Sequence, residues 1–371
     1  MDIYWYWPYL RREELVLAPG VLHDGDRLVV HTTPRPTDPI TAPTPACEIR
    51  DDLPAVSDAP ERSARWAASR AATYVSRARS RRRAVSARRF DVAHLVYLNP
   101  FTDAFDLRRL ARRVPLVASV HDVVPHQSRV PAPVERRLLA AQYRHAGILV
   151  AHHESVRRRL LEEFAIDPDR VVVNPLPISI EPVVPRADGT APTVLLFGTF
   201  RRNKGIAELL QAIEALRGAV DARFLFAGRG FPDVESEVLA AASRDDRIEV
   251  EIGYATAARK RELYGTADLV TLPYTTFASQ SAVLQDAYAH RVPLVVSDVG
   301  ALGETVRADA SGWVVRPGDV DGLAATLLDA LGNPAGRAEA RAAMARVAEA
   351  RTPERVGAQL RAIYTRAADR G

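Results

Sequence analysis

Short apolar runs alternate with stretches of helical periodicity along the whole chain, a pattern that predicts parallel α/β packing. In the first half, strands are predicted at 2–7, 27–32, 92–97, 116–120, 147–152 and 171–174. In the second half, strands at 193–198, 223–228, 247–252, 269–273 and 294–297 alternate with helices at 205–217, 233–243, 257–264 and 280–290. Helices at 319–331, 334–348 and 353–367 close the chain. Pro175, Pro177, Pro182, Pro185 and Pro192, with Gly189, make 176–192 a linker between two α/β halves of similar size.

Length agrees with that division, since a single core rarely grows past roughly 250–300 residues and the chain has 371. The single Cys47 excludes an intramolecular disulfide and has no metal-ligand spacing around it, which favours a reducing compartment. The segment starting Met1-Asp2-Ile3-Tyr4-Trp5 lacks the basic and apolar regions of a secretory signal, and no run is long and apolar enough to span a bilayer. A cytoplasmic location is expected.

Net charge is +4, but arginines crowd 62–89. Trp66, Ala67, Tyr74, Val75, Ala78 and Val85 recur there near helical spacing, so the segment reads as an amphipathic helix. Two readings stay open. The preferred one is a core-packed helix with a solvated arginine face; the other is a helix resting weakly on anionic lipid at the inner face of a membrane. No nucleic-acid-reading motif accompanies the charge, and no nucleic-acid partner is expected.

Two lysines stand beside forty-eight arginines. Lys204 sits in Phe197-Gly198-Thr199-Phe200-Arg201-Arg202-Asn203-Lys204-Gly205, between an apolar strand and a periodic helix, where a compact ammonium and free helix N–H groups suit phosphate. Lys260 reads as an ordinary solvated cation. Gly228-Arg229-Gly230 begins like a dinucleotide fingerprint but has Asp233 at the third glycine position, so nicotinamide or flavin binding has little support. Asp24-Gly25-Asp26 reads as a turn rather than a metal site. No metal-ligand cluster is expected, and no cofactor.

Gly198 through Gly205, Ala227-Gly228, Gly253-Tyr254, Ala267 through Pro273 and Ala287 through Glu304 succeed one another across about 193–317. In that order the second half resembles family 4 retaining glycosyltransferases of the GT-B fold. Val120-His121-Asp122-Val123 and 150–154 add a thinner likeness in the first half. The resemblance implies two Rossmann-like domains with a cleft between them. Residues 1–176 would form the acceptor side, 177–192 the linker and 193–352 the nucleotide-sugar side, with the helix near 353–371 packing back on the first domain.

It also implies site residues. Arg201 and Lys204 would meet the charge growing on a nucleoside diphosphate leaving group. Gly198, Gln280, Ser281, Ala282 and Val283 would bring backbone and small side chains to the phosphates, without a metal. The family's acidic pair, spaced Glu-x7-Glu, is Ala278 and Asp286 here; Asp286 is read as the ribose-hydroxyl acceptor. His121 is assigned to donor-sugar positioning with a proton-transfer role open, and Asp122 to orienting it or capping the next turn. Trp7 and Tyr9, in a loop without the family's glycines, and Asp122 are the acceptor-side candidates.

The expected activity is transfer of a sugar from a nucleoside-diphosphate sugar to an acceptor hydroxyl with retention. The acceptor class, whether saccharide, lipid-linked or a small natural product, stays open. The alternatives are another nucleotide-sugar enzyme of the same fold, such as an epimerase, and a catalytically silent donor-binding subunit, which Ala278 motivates.

Overall fold

The computed structural model describes residues 1–10, 12–34, 40–56, 64–99, 103–121, 123–124, 131–182, 191–276 and 281–370. The chain divides into two compact units, one of residues 1–177 with 353–371 and one of residues 178–352. Each unit is a wholly parallel sheet covered by helices on both faces, the arrangement that a sheet buried on both sides requires.

In the first unit the strands are β1 (Asp2–Tyr6), β2 (Arg27–His31), β3 (Cys47–Arg50), β4 (Val92–Leu95), β5 (Leu116–Val120), β6 (Ile148–Ala151) and β7 (Val171–Val173). Their order is β3-β2-β1-β4-β5-β6-β7. Alternation along β1 sends Tyr4 and Tyr6 to one core and Ile3 and Trp5 to the other, where Leu360, Ile363 and Tyr364 of the helix Pro353–Asp369 also pack.

In the second unit the strands are β8 (Thr193–Phe200), β9 (Arg223–Gly230), β10 (Ile248–Ile252), β11 (Leu269–Leu272), β12 (Leu294–Ser297) and β13 (Gly312–Val315), in the order β10-β9-β8-β11-β12-β13. Each sheet reverses its winding once, between β1 and β4 in the first and between β8 and β11 in the second. Ligands of open parallel sheets sit at the carboxyl ends of the strands beside such a reversal.

Strands β3 and β13 have no counterpart in the pattern analysis. Cys47-Glu48-Ile49-Arg50 and Gly312-Trp313-Val314-Val315 are edge strands of four residues, too short to carry a periodicity of their own. Gly228 and Gly230 pair with Gly198 and Phe200 across the β8–β9 ladder. A Cβ at either would meet a β8 carbonyl oxygen, at 1.8 and 1.9 Å. Close strand packing therefore accounts for the glycine pair without a pyrophosphate.

The helix Ala64–Ala87 corrects the expectation of a solvated arginine face. Arg79 and Arg83 are exposed, but Arg77 and Arg81 are buried. Arg81 donates to Asp103 (2.8 Å) and Asp106 (2.7 Å), both buried on the next helix. No described helix is long and apolar enough to cross a membrane.

Candidate functional site

In the second unit, the loops that follow β8 and β11 meet at the reversal point. Gly205 takes a left-handed conformation (φ +67°), and a Cβ there would lie 1.7 Å from the Pro273 carbonyl oxygen, so glycine alone lets the chain turn into the helix Ile206–Ala215 at this closeness. The two loops are laced by Asn203, which donates its side-chain amide to the Thr276 carbonyl (3.1 Å) and accepts the Thr275 N–H at its own carbonyl (3.1 Å).

That lacing sets Lys204 over the Tyr274 ring, with the ammonium nitrogen 3.6 Å from the centroid. Burial, and then the nearby Arg201 guanidinium, push its pKa down to about 8. The ammonium is therefore protonated but destabilised at neutral pH, and an added anion would relieve both causes. Arg201 is exposed in an extended conformation just after β8, while Arg202 is turned away into an ion pair with Asp233.

Ser281 precedes the helix Ala282–His290 and is buried, its hydroxyl 3.3 Å from the Tyr274 hydroxyl rather than capping the helix. The N–H groups of the first turn, including Ala282 and Val283, have no acceptor within the helix. Gly198 faces this turn: a Cβ there would lie 3.2 Å from Val283 Cγ2, and its φ is +110°. Thus Gly198, Arg201, Lys204, Ser281, Ala282 and Val283 come to one strand-end site, joined by Tyr274 and Asn203, which the motif reading did not single out. Tyr274 follows directly on the Ala267–Pro273 motif, and that adjacency was the available signal. Gln280 and Ala278 lie outside the described residues.

Asp286 is one turn further along the same helix and accepts an ion pair from Lys260 Nζ at 2.8 Å. Both side chains are partly exposed. The solvated reading of Lys260 is thereby corrected: it comes from the helix Ala257–Thr266 to neutralise the candidate ribose acceptor.

In the first unit, His121 follows β5 and donates Nε2–H to the Val96 carbonyl at 3.0 Å. Its ring stacks on Tyr97 (4.3 Å, 13°) and lies 4.8 Å from His152. Burial, with His152 beside it, pushes its pKa down to about 3. The imidazole is neutral and leaves Nδ1 as an acceptor. So low a basicity makes it a poor proton carrier near neutrality, which counts against the proton-transfer role and leaves hydroxyl positioning.

Tyr9 is 44% exposed and meets Tyr97 edge-on at 5.7 Å. Trp7, by contrast, is buried with Ile3, Trp5 and Leu10 under the helix Pro353–Asp369. The pleat decides this, because residues 3, 5 and 7 share a face; Trp7 offers no wall to a ligand, and that expectation is corrected. Asp122 lies outside the described residues. Asp24-Gly25-Asp26 is a turn with Gly25 at φ +82°, and Asp26 pairs with the N-terminus and Arg361.

Among the described residues no group of three or more His, Cys, Asp or Glu side chains is arranged to hold a metal ion.

Residues 17–181 match the family described as Glycosyltransferase Family 4, and residues 191–333 match the one described as Glycosyl transferases group 1. A glycogen synthase of Mycobacterium tuberculosis is 28% identical over 245 residues, which is 63% of this chain and 58% of that protein. The chain thus aligns with less than two thirds of that relative. The whole chain superposes on a sucrose-phosphate synthase from Thermosynechococcus elongatus with a TM-score of 0.79 at 18% identity, covering 100% of both. An Anabaena HepE structure in complex with UDP gives 0.71 at 15% identity, covering 99% of this chain and 100% of that one. At these identities the superpositions speak to the fold.

Proposed function

Because this chain belongs to the family 4 glycosyltransferases and carries their GT-B fold of two Rossmann-like units, we propose that it transfers a sugar from a nucleoside-diphosphate sugar to an acceptor hydroxyl, with retention and without a bound metal ion. The observation that carries this reading is the convergence of Gly198, Lys204, Ser281 and Val283 at the reversal point of the second sheet. An ammonium destabilised by burial, an exposed guanidinium and open helix amides all favour a diphosphate, and they favour it more as a leaving group gains charge.

In this reading Lys204 and Arg201 stabilise the departing diphosphate, and the backbone N–H groups of Ala282 and Val283 donate to its oxygens. Asp286, with Lys260, takes the ribose hydroxyls. His121 offers Nδ1 to a sugar hydroxyl. The Anabaena neighbour was solved with UDP, which makes UDP-sugars the first donors to try.

The experiment is a thermal-shift screen of UDP-, GDP-, ADP- and dTDP-sugars, followed by nucleoside diphosphate release with and without acceptors and with EDTA. A binding donor at 100 times its Kd stabilises by about 2.7 kcal/mol. No stabilisation by any of the four would sink the donor reading. Activity abolished by EDTA and restored by magnesium or manganese would sink the metal-independent mechanism.

A further inference from the structure

The arginines of the helix Ala64–Ala87 that face the first sheet are not equally compensated. Arg81 and Arg82 are set against the two carboxylates of Asp103 and Asp106. Arg77, one turn earlier and 2% exposed, has no carboxylate partner among the described residues. Its Nε donates to the Pro54 carbonyl (2.7 Å) and its Nη1 to the Tyr9 hydroxyl (3.3 Å). Its guanidinium carbon lies 5.3 Å from the Tyr9 ring and 5.9 Å from that of Tyr74.

Carbonyls, hydroxyls and ring faces return part of the lost hydration, but a buried cation is normally matched by an anion. Tyr9, the exposed member of this group, leads away from Arg77. From it, planar side chains continue to Tyr97 at 5.7 Å and then to His121 at 4.3 Å. Aromatic faces in such a file suit sugar rings, and the file joins Arg77, which no described carboxylate compensates, to the imidazole at the end of β5.

We propose that Arg77, Tyr9 and Tyr97 form an acceptor subsite for an anionic saccharide, whose negative group lies on Arg77 and whose rings lie over Tyr9 and Tyr97, with the receiving hydroxyl toward His121. The inference rests on the transferase reading for the ligand's role as acceptor. The charge-bearing group is a carboxylate or a phosphate ester, which share the chemistry that a guanidinium binds.

Ligand-observed NMR titrations of the full chain with methyl glucoside, methyl glucuronide and glucose 6-phosphate test it. At least one anionic saccharide should bind ten-fold or more tightly than the neutral one, and which of the two does so identifies the anion. Arg77→Gln should remove the preference and Arg77→Lys restore part of it, with UDP affinity as in the parent. Equal affinity for all three, no saturable binding of either anion, or a preference that survives in folded R77Q overturns the proposal. Should R77Q not fold, Tyr9→Phe takes its place. Removing the hydroxyl frees Arg77 Nη1, so the anionic ligands should tighten while the neutral one stays unchanged, and no change counts against the site. Failure to bind any nucleotide sugar would refute the donor reading and leave the Arg77 readout unaffected.

Discussion

The Lys204 ammonium nitrogen lies 3.6 Å above the Tyr274 ring, although the two residues come from opposite sides of the winding reversal in the second sheet. A protonated amine held over a ring, half out of water and near a second cation, is in a poor environment for its charge, and its pKa of about 8 records that. The same destabilisation makes it ready for an anion.

Nucleoside diphosphate binding should therefore take up a proton above pH 8, because the bound anion favours the charged amine, and affinity should fall as pH rises through 8. Calorimetry at pH 8.5 in buffers of different ionisation enthalpy reads the uptake, which Lys204→Met should abolish. The amine's folded pKa is below its unfolded value, so its charge costs stability below pH 8 and the cost fades as pH rises toward 10.5. Lys204→Met should therefore melt higher at pH 7, by on the order of 1 kcal/mol after screening by the remaining solvent. Lys204→Ala should lower turnover by about 10²-fold; near-normal turnover would remove it from the mechanism.

His121 carries its own acid signature. His94 and His121 both have pKa values pushed down to about 3 by burial, with His152 adding to each. The unfolded chain binds protons at these two positions below about pH 6.5 that the folded chain refuses, so stability is full above 6.5 and falls as pH drops toward 3. Urea midpoints at pH 7.5, 6 and 5 should decline, with unfolding at pH 5 taking up about two protons from this pair. His121→Ala should keep nucleotide affinity, because the proposed nucleotide contacts all lie in the other unit, and lose transfer by 10²-fold or more.

Asp286 and the ribose can be tested as a pair. If the carboxylate accepts ribose hydroxyls, Asp286→Ala and replacement of UDP by its 2′,3′-dideoxy form should each cost about 1–2 kcal/mol, and together little more than either alone. Full additivity in calorimetric affinities would show that Asp286 serves Lys260 and not the ligand.

Gly205→Ala should destabilise the second unit by about 3 kcal/mol or more, since it adds a backbone collision at Pro273 to a left-handed conformation. Gly218 is the control: its φ is +77° with nothing within 4 Å of an added Cβ, and its alanine variant should cost about 1 kcal/mol. Equal melting shifts for the two would contradict the close approach of the loops after β8 and β11.

Much of the second unit was legible in the chain itself. Apolar runs buried on both faces, helical periods between them, and glycines followed by a lysine at a strand end are local signals, and they mark the elements and the turn proposed to face phosphate without reference to the fold. Reading Trp7 as a wall, Lys260 as solvated and the 62–89 arginines as an outer face used the same local signals and went wrong. Trp7 is turned inward by the pleat of β1, and Lys260 reaches Asp286 across 26 positions of sequence. Arg81 meets Asp103 and Asp106 on another helix, and Arg77 is left without such a match among the described residues. A residue's type and neighbours in sequence set what it can do. Which partner neutralises it depends on contacts between distant segments, and these exist once the sheets have ordered β1 beside β4 and β8 beside β11.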